Sequence, residues 1–234
     1  PVLGMKNPFH YRNKAQYPIG EDKAGNPVAG FYAGRTHSII ANTTCFLGSE
    51  KNEEILKAIL SYMKDNHISA YNETTCKGIV RHVLIREGYY SKQIMVCLVV
   101  NLNSEKKTPS LPAQGKLVET LSRIPNMTSV SLSINTENTN VIMGKEIYTI
   151  WGKDTIEDTV YIRNAAKDFE TAGKGITFSL SPLSFYQVNP VQMEKLYSIV
   201  LAYAELTGNE VVWDIYCGIG TISLFLAQNA KQVY

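Results

Sequence analysis

Little in this sequence is extreme, and what is scarce or missing narrows the possibilities. Cysteine is scarce: Cys45, Cys76, Cys97 and Cys217 are the only four in 234 residues, widely spaced, with no C-x-x-C pair. That excludes a self-contained zinc finger or ribbon. A chain of this length with a good core also has no need of a disulfide framework, so cysteine usage reads as a reducing, cytoplasmic compartment. Long hydrophobic runs are missing too; the apolar stretch near the end, Ile222 to Ala227, falls far short of a membrane span. There is no signal-peptide pattern, internal repeat or low-complexity tract. Charge is nearly balanced, 23 Lys and Arg against 21 Asp and Glu, and a net +2 does not identify a nucleic-acid partner by itself. With 44% apolar and 19% charged residues the chain is neither disordered nor collagen-like. Its length fits one large domain or two modest ones.

The distribution of charge is more informative than its sum. Lys6, Arg12, Lys14, Lys23 and Arg35 precede residue 36 against only Glu21 and Asp22, interleaved with Phe9, Tyr11, Tyr17, Phe31 and Tyr32. Lys77, Arg81, Arg86 and Lys92 form a second set against Glu87. Cations mixed with aromatics can hold phosphates and stack bases; the alternative is a solvated basic surface over a few core aromatics. Gly25-Asn26 reads as a hairpin turn between two strands. After Ser49, Ile55, Leu56, Ile59, Leu60 and Met63 share one helical face. Strands are expected at 79–86, 94–102 and 129–135, a helix at 113–123, and shorter strands at 146–151, 159–163 and 175–180. This order predicts a compact α+β layer. Clustered glycines at 171–176 read as a boundary, dividing the chain into 1–172 and 173–234.

The second part reads as the opening of a parallel α/β domain. Asn189 is placed to cap a helix with Pro190 in its first position. Met193, Leu196, Tyr197, Val200, Tyr203 and Ala204 mark its expected inner face, and Gly208-Asn209 its end. Val211-Val212-Trp213-Asp214-Ile215 reads as a buried strand running into Gly218 and Gly220 and then an amphipathic helix. An acid at a strand tip followed by a glycine turn is the arrangement of nucleoside-type ligand sites at the carboxyl edge of parallel strands. The dinucleotide fingerprint is incomplete, because Ser223 stands where its third glycine belongs. Small residues in an ordinary α/β turn are the plainer alternative.

D-I-Y-C-G-I-G-T at 214–221, together with S-F-Y-Q-V-N-P at 184–190, resembles the RNA uracil-5-methyltransferases, a family dependent on S-adenosylmethionine. Y-R-N-K-A at 11–15 and R-H-V-L-I-R at 81–86 are similar to stretches of that family's central, RNA-contacting domain. The likeness is nearest to the bacterial ribosomal-RNA branch that carries an iron–sulfur cluster. The resemblance implies an α/β fold: an α+β central domain followed by the first part of a Rossmann-like class I methyltransferase domain. It implies methyl transfer from S-adenosylmethionine to C5 of uridine, in 23S rRNA, by a soluble monomer. Gln187, Tyr216 and Thr221 would contact the cofactor, with Asp214 and the Gly218 and Gly220 backbone shaping the pocket. Arg12, Lys14, Arg81 and Arg86 would contact RNA. Gln187 could instead be a helix-entry residue bonded only to backbone.

In that family a cysteine thiolate adds to C6 of a flipped-out uracil and a carboxylate later removes the C5 proton. Cys217 lies inside the cofactor turn, where the family's cysteine is not catalytic, and reads as a packed side chain. The nucleophile and base are expected beyond the position of Tyr234, so the chain is expected to be an inactive piece of a longer enzyme, opening at Pro1 as if already within a fold. Counting about 20 residues from Asp214 lands on Tyr234, so the acidic ribose ligand is expected beyond it. Cys45 aligns with the fourth thiolate of a [4Fe–4S] site, and one thiolate cannot hold such a cluster; a buried, never-ligated cysteine is the alternative. Two other readings stay open: a non-catalytic RNA-binding module, and an S-adenosylmethionine-dependent methyltransferase with a different substrate.

Overall fold

The computed structural model describes residues 2–102, 109–164 and 167–234. Strands β1 (Lys14–Glu21) and β2 (Pro27–Tyr32) form the expected antiparallel hairpin. Asp22 closes its turn by accepting the N–H groups of Ala24 and Asn26 on Oδ1, at 2.8 and 2.9 Å. Strand β3 (Ile39–Ala41) adds to the outer side of β2. Helix α1 (Lys51–Asp65) follows Ser49 as its periodicity predicts, with Ile55, Leu56, Ile59 and Met63 fully buried.

Strands β4 (Val80–Glu87) and β5 (Ile94–Val100) pair antiparallel. Helix α2 (Gln114–Ser122) carries the chain back to β6 (Met127–Ile134), which runs parallel to β5. Strand β7 (Glu146–Gly152) ends the sheet, whose order is β3-β2-β1-β4-β5-β6-β7. One face packs on α1 and α2 through Val83, Ile85, Val96, Leu98, Val130 and Leu132. Both faces of β4 and β5 are covered, and nearly all their residues are buried.

Strands β8 (Ile156–Asn164) and β9 (Glu170–Leu180) form a separate antiparallel hairpin. The glycines at 173 and 175 lie within β9. At Gly175 a Cβ would sit 2.4 Å from Thr159 Cγ2 and 2.9 Å from the Tyr161 ring, so the close approach across the hairpin requires glycine. Helix α3 (Pro190–Tyr203) packs on β8. Asn189 caps it, its side chain accepting the Gln192 N–H at 3.1 Å, with Pro190 in the first turn.

The inner face of α3 differs from the expected one. Met193 and Tyr197 are buried as read, but they are joined by Glu194, Ser198 and Leu201, while Leu196 and Tyr203 are exposed. The face turns because Glu194, a charged residue, is inside and paired. The helix also stops at Tyr203, ahead of Gly208. Strand β10 (Val211–Val212) and β11 (Gln232–Val233) form a parallel pair joined by α4 (Thr221–Leu226). The segment read as a buried strand is largely open, with Trp213 71% and Ile215 81% exposed. It pairs only with β11, and a two-stranded ribbon cannot bury both of its faces.

Candidate functional site

The candidate cofactor site is built around the turn from β10 to α4. Asp214 leaves the strand with its N–H donating to the Tyr234 carbonyl at 2.7 Å. Its Oδ2 accepts the Ser223 hydroxyl at 2.6 Å, which ties the acid to the first turn of α4. Gly218 (φ 57°) and Gly220 (φ 80°) hold the left-handed backbone that reverses the chain, and no atom lies within 4 Å of a Cβ placed on either. The turn is therefore open to a ligand at backbone level. Tyr216 projects from it almost fully exposed. Thr221 is buried, its hydroxyl 3.4 Å from that of Tyr197 on α3. Tyr197 also meets Phe225 edge-on at 5.5 Å, which seats α4 on α3.

Gln187 stands at the entrance to α3. Its carbonyl accepts Asn13 Nδ2 at 3.0 Å and the neighbouring Val188 carbonyl accepts the Asn13 N–H at 2.9 Å. The Asn13 carbonyl in turn accepts the Glu87 N–H at 2.9 Å. The buried Asn13 thus stitches the Gln187-Val188-Asn189 element to the end of β4. No described hydrogen bond uses the Gln187 amide side chain. Asp214, Tyr216, Gly218 and Gly220 lie on one turn and Thr221 opens the helix that follows it, while Gln187 lies just ahead of α3, on which α4 is seated. Asn13, which the sequence offers only within Y-R-N-K-A, takes its role from a contact 174 residues away in the chain.

The cations expected on RNA separate into two groups. Arg12 and Lys14 are half-buried and border solvent; burial, with Arg86 and Arg12 nearby, holds the Lys14 pKa below its ordinary value. Arg81 and Arg86 are interior, which corrects their reading as surface contacts. Arg81 donates to the carbonyls of Asn135 and Glu137 at 3.1 and 2.7 Å, lies 3.5 Å from Glu73, and stacks over Tyr71. Arg86 donates to the Ser184 carbonyl at 2.7 Å, behind the loop leading to Gln187, and its Nε and Nη1 have no partner. Desolvation lowers its pKa to about 10. The reason is positional: β4 is a central strand covered on both sides, so both guanidinium groups face protein rather than solvent.

Cys45 is half-buried in the turn before α1, and among the described residues no group of three or more His, Cys, Asp or Glu could hold a metal ion. The residues present do not suffice for a [4Fe–4S] cluster. Cys97 is fully buried, which pushes its thiol up to about 12. Cys217 is exposed, not packed as expected, because among the described residues no side chain covers the glycine turn. Among the described residues no helix is long and apolar enough to cross a membrane.

No family model matches the chain. Over all 234 residues it is 44% identical to an uncharacterized RNA methyltransferase of Clostridium tetani, of which it covers 46%. It is 40% identical over 233 residues to one from Staphylococcus aureus, of which it covers 48%. The chain thus spans about half the length of the curated relatives it matches. Among solved structures, the tRNA (uracil-54, C5)-methyltransferase of Pyrococcus abyssi, in complex with S-adenosyl-L-homocysteine, superposes with a TM-score of 0.72 over 95% of this chain and 48% of that one, at 23% identity. The chain shares the α/β fold of that structure over nearly its whole length. In that fold the mixed sheet and the β10–α4 turn correspond to the α/β architecture expected from the sequence.

Proposed function

We propose that this chain is the part of an RNA methyltransferase that begins the S-adenosylmethionine site and supports the RNA, in an enzyme that methylates C5 of a uridine. The observation that carries this reading is the Asp214–Gly220 turn: an acid and two left-handed glycines at the end of a parallel strand, open at backbone level, on a methyltransferase fold. S-adenosylmethionine would supply the methyl group. Gln187 offers an unengaged amide, and Tyr216 an exposed ring for an adenine or sulfonium face. Asp214, oriented by Ser223, offers a carboxylate to hydroxyl or amino donors. Thr221, with its hydroxyl beside that of Tyr197, stands at the start of the helix behind the turn. Arg12 and Lys14 are the cations proposed to meet RNA.

Cys217 is not assigned as the nucleophile; it belongs to the turn that would hold the cofactor. The thiolate that adds to C6 and the carboxylate that removes the C5 proton are proposed to come from the half of the protein that this chain does not span. The same reading makes the whole protein a cytoplasmic monomer acting on 23S rRNA, with any iron–sulfur cluster completed by other residues. The Pyrococcus abyssi likeness favours a second substrate, tRNA. The test is incubation of the full-length protein with methyl-tritiated S-adenosylmethionine and either transcript, followed by nucleoside mass spectrometry. Label in 5-methyluridine from 23S rRNA supports the first reading, and label from tRNA the second. Label in neither, or in another nucleoside, overturns both.

A further inference from the structure

We propose that a groove beside the Gln187-Val188-Asn189 element binds a single-stranded segment of RNA, with bases stacked on Tyr89 and Phe169 and phosphates held by Lys92, Lys195 and Arg12. This rests on the RNA reading above and assigns a place and a form to the RNA. The groove consists of two cavities of about 320 and about 470 Å³ that share His10, Tyr11 and Tyr89 as a common wall. Its walls are the N-terminal segment, the turn between β4 and β5, Asp168 and Phe169 ahead of β9, and the start of α3.

Charge is concentrated here in a chain that is otherwise nearly balanced. Six lysines or arginines line the two cavities against three carboxylates. Lys6, Lys51 and Arg163 are paired with Asp168, Glu54 and Glu194. Arg12, Lys92 and Lys195 make no ion pair among the described residues. Two of these cations sit over aromatic rings, Lys92 Nζ 5.0 Å from the centre of Tyr89 and Lys195 Nζ 5.5 Å from that of Phe169. A ring and a cation presented together suit a base and its phosphate, and unpaired bases offer the faces that a duplex hides. An acidic protein segment would use the cations but not the rings.

The groove is also built before any ligand arrives. His10, Lys92, Asp168 and Phe169 all hold left-handed φ values between 46° and 59°, a conformation that costs free energy in residues other than glycine. Asp158 fixes the Tyr89–Ser91 turn by accepting three backbone N–H groups at 2.9, 2.9 and 3.3 Å. Asn13 lines the first cavity and holds the Gln187 and Val188 carbonyls, so the groove wall and the candidate cofactor element share one side chain.

The test uses the full-length protein and a fluorescein-labelled, 4-thiouridine-substituted RNA of about a dozen nucleotides, single-stranded or annealed to its complement. Lys92→Glu and Lys195→Glu should each weaken single-strand binding about fivefold or more and flatten its salt dependence. Tyr89→Leu should weaken it with the salt dependence unchanged. Arg123→Glu, just past the end of α2 and exposed, should leave binding as it is. Thermal melting confirms that each variant is folded, and photocrosslinks should map to residues 87–92 or 189–195. If the wild type binds single strands but the groove variants bind equally well and crosslinks map elsewhere, the groove is wrong and the RNA reading survives. A preference for the duplex also overturns the groove. No binding of either RNA at low salt overturns both.

Discussion

Glu194 is fully buried, and its Oε2 accepts Arg163 Nε at 2.8 Å, joining helix α3 to the β8–β9 hairpin. The Tyr90 hydroxyl donates to the same oxygen at 3.0 Å, and Glu194 Oε1 accepts the Tyr161 N–H at 2.8 Å. Replacing Glu194 by Ala would leave an uncompensated guanidinium and an orphaned N–H between α3 and the β8–β9 hairpin. Such a change should cost about 3–5 kcal/mol. The double variant Arg163→Met with Glu194→Met should recover much of that loss. Urea unfolding of the three proteins checks it, and a single variant as stable as the wild type would refute it.

Asp158 is a buried carboxylate that serves Tyr89, Tyr90 and Ser91 as their common acceptor, with the Tyr186 hydroxyl 3.4 Å from its Oδ2. Asp158→Asn keeps the shape but turns one acceptor into a donor facing N–H groups. The expected loss is about 1–3 kcal/mol. Amides 89–91 should exchange with deuterium at least about tenfold faster, while those of α1 change little. Uniform acceleration across the chain would mean that the aspartate acts globally rather than on the turn.

His82 is buried on β4 beside Arg81, and desolvation followed by the arginine charge lowers its pKa from 6.5 to about 4. The native state therefore disfavours the imidazolium, whereas the unfolded chain takes up the proton below pH 6.5. Stability from this group is complete above pH 6.5 and is lost as pH falls toward 4, by up to ~3 kcal/mol. His82→Leu should flatten the stability profile over that window. Denaturant midpoints at pH 7, 6 and 5 would show it. An unchanged slope in the variant would assign the acid sensitivity to carboxylates instead.

Gln187 offers the candidate cofactor site an amide with no described partner. Gln187→Ala should lower the affinity of the full-length protein for S-adenosylhomocysteine by roughly tenfold, with no change in melting temperature. Asn13→Ala should lower both, because it also releases the end of β4. Isothermal titration calorimetry and a thermal melt separate the two outcomes. Wild-type affinity in Gln187→Ala would make it the helix-entry residue that its position also allows.

Much of this architecture can be read directly from residue order, where a local rule acts alone. Helix α1 follows from Ile55, Ile59 and Met63 at helical spacing, and the start of α3 from Asn189 and Pro190. The glycine turn could be located because Gly218 and Gly220 are needed by the backbone. What could not be read depends on distant partners. Glu194 looks like a surface acid on α3 until Arg163 and Tyr90 are placed against it. Arg81 and Arg86 look like an RNA-facing pair until β4 is seen to be covered on both sides. The groove combines residues from four separate segments; the cations and aromatics interleaved before residue 36, and Lys92, pointed toward it, whereas Tyr89, Phe169 and Lys195 join it only through the fold.

Strand β5 has no free side. Ile94, Val96, Leu98 and Val100 enter the core beneath the two helices, while Met95 enters the core shared with β8, β9 and α3. Cys97 and Val99, also fully buried, take the Met95 side by alternation. A half-exposed strand can drift at every second position without consequence. Here every codon from 94 to 100 specifies a packed side chain, and neighbouring codons answer to different neighbourhoods. In a saturation-mutagenesis map this segment would form an unbroken intolerant block, with its even-numbered positions coupled to α1 and α2, and Met95 to the second core.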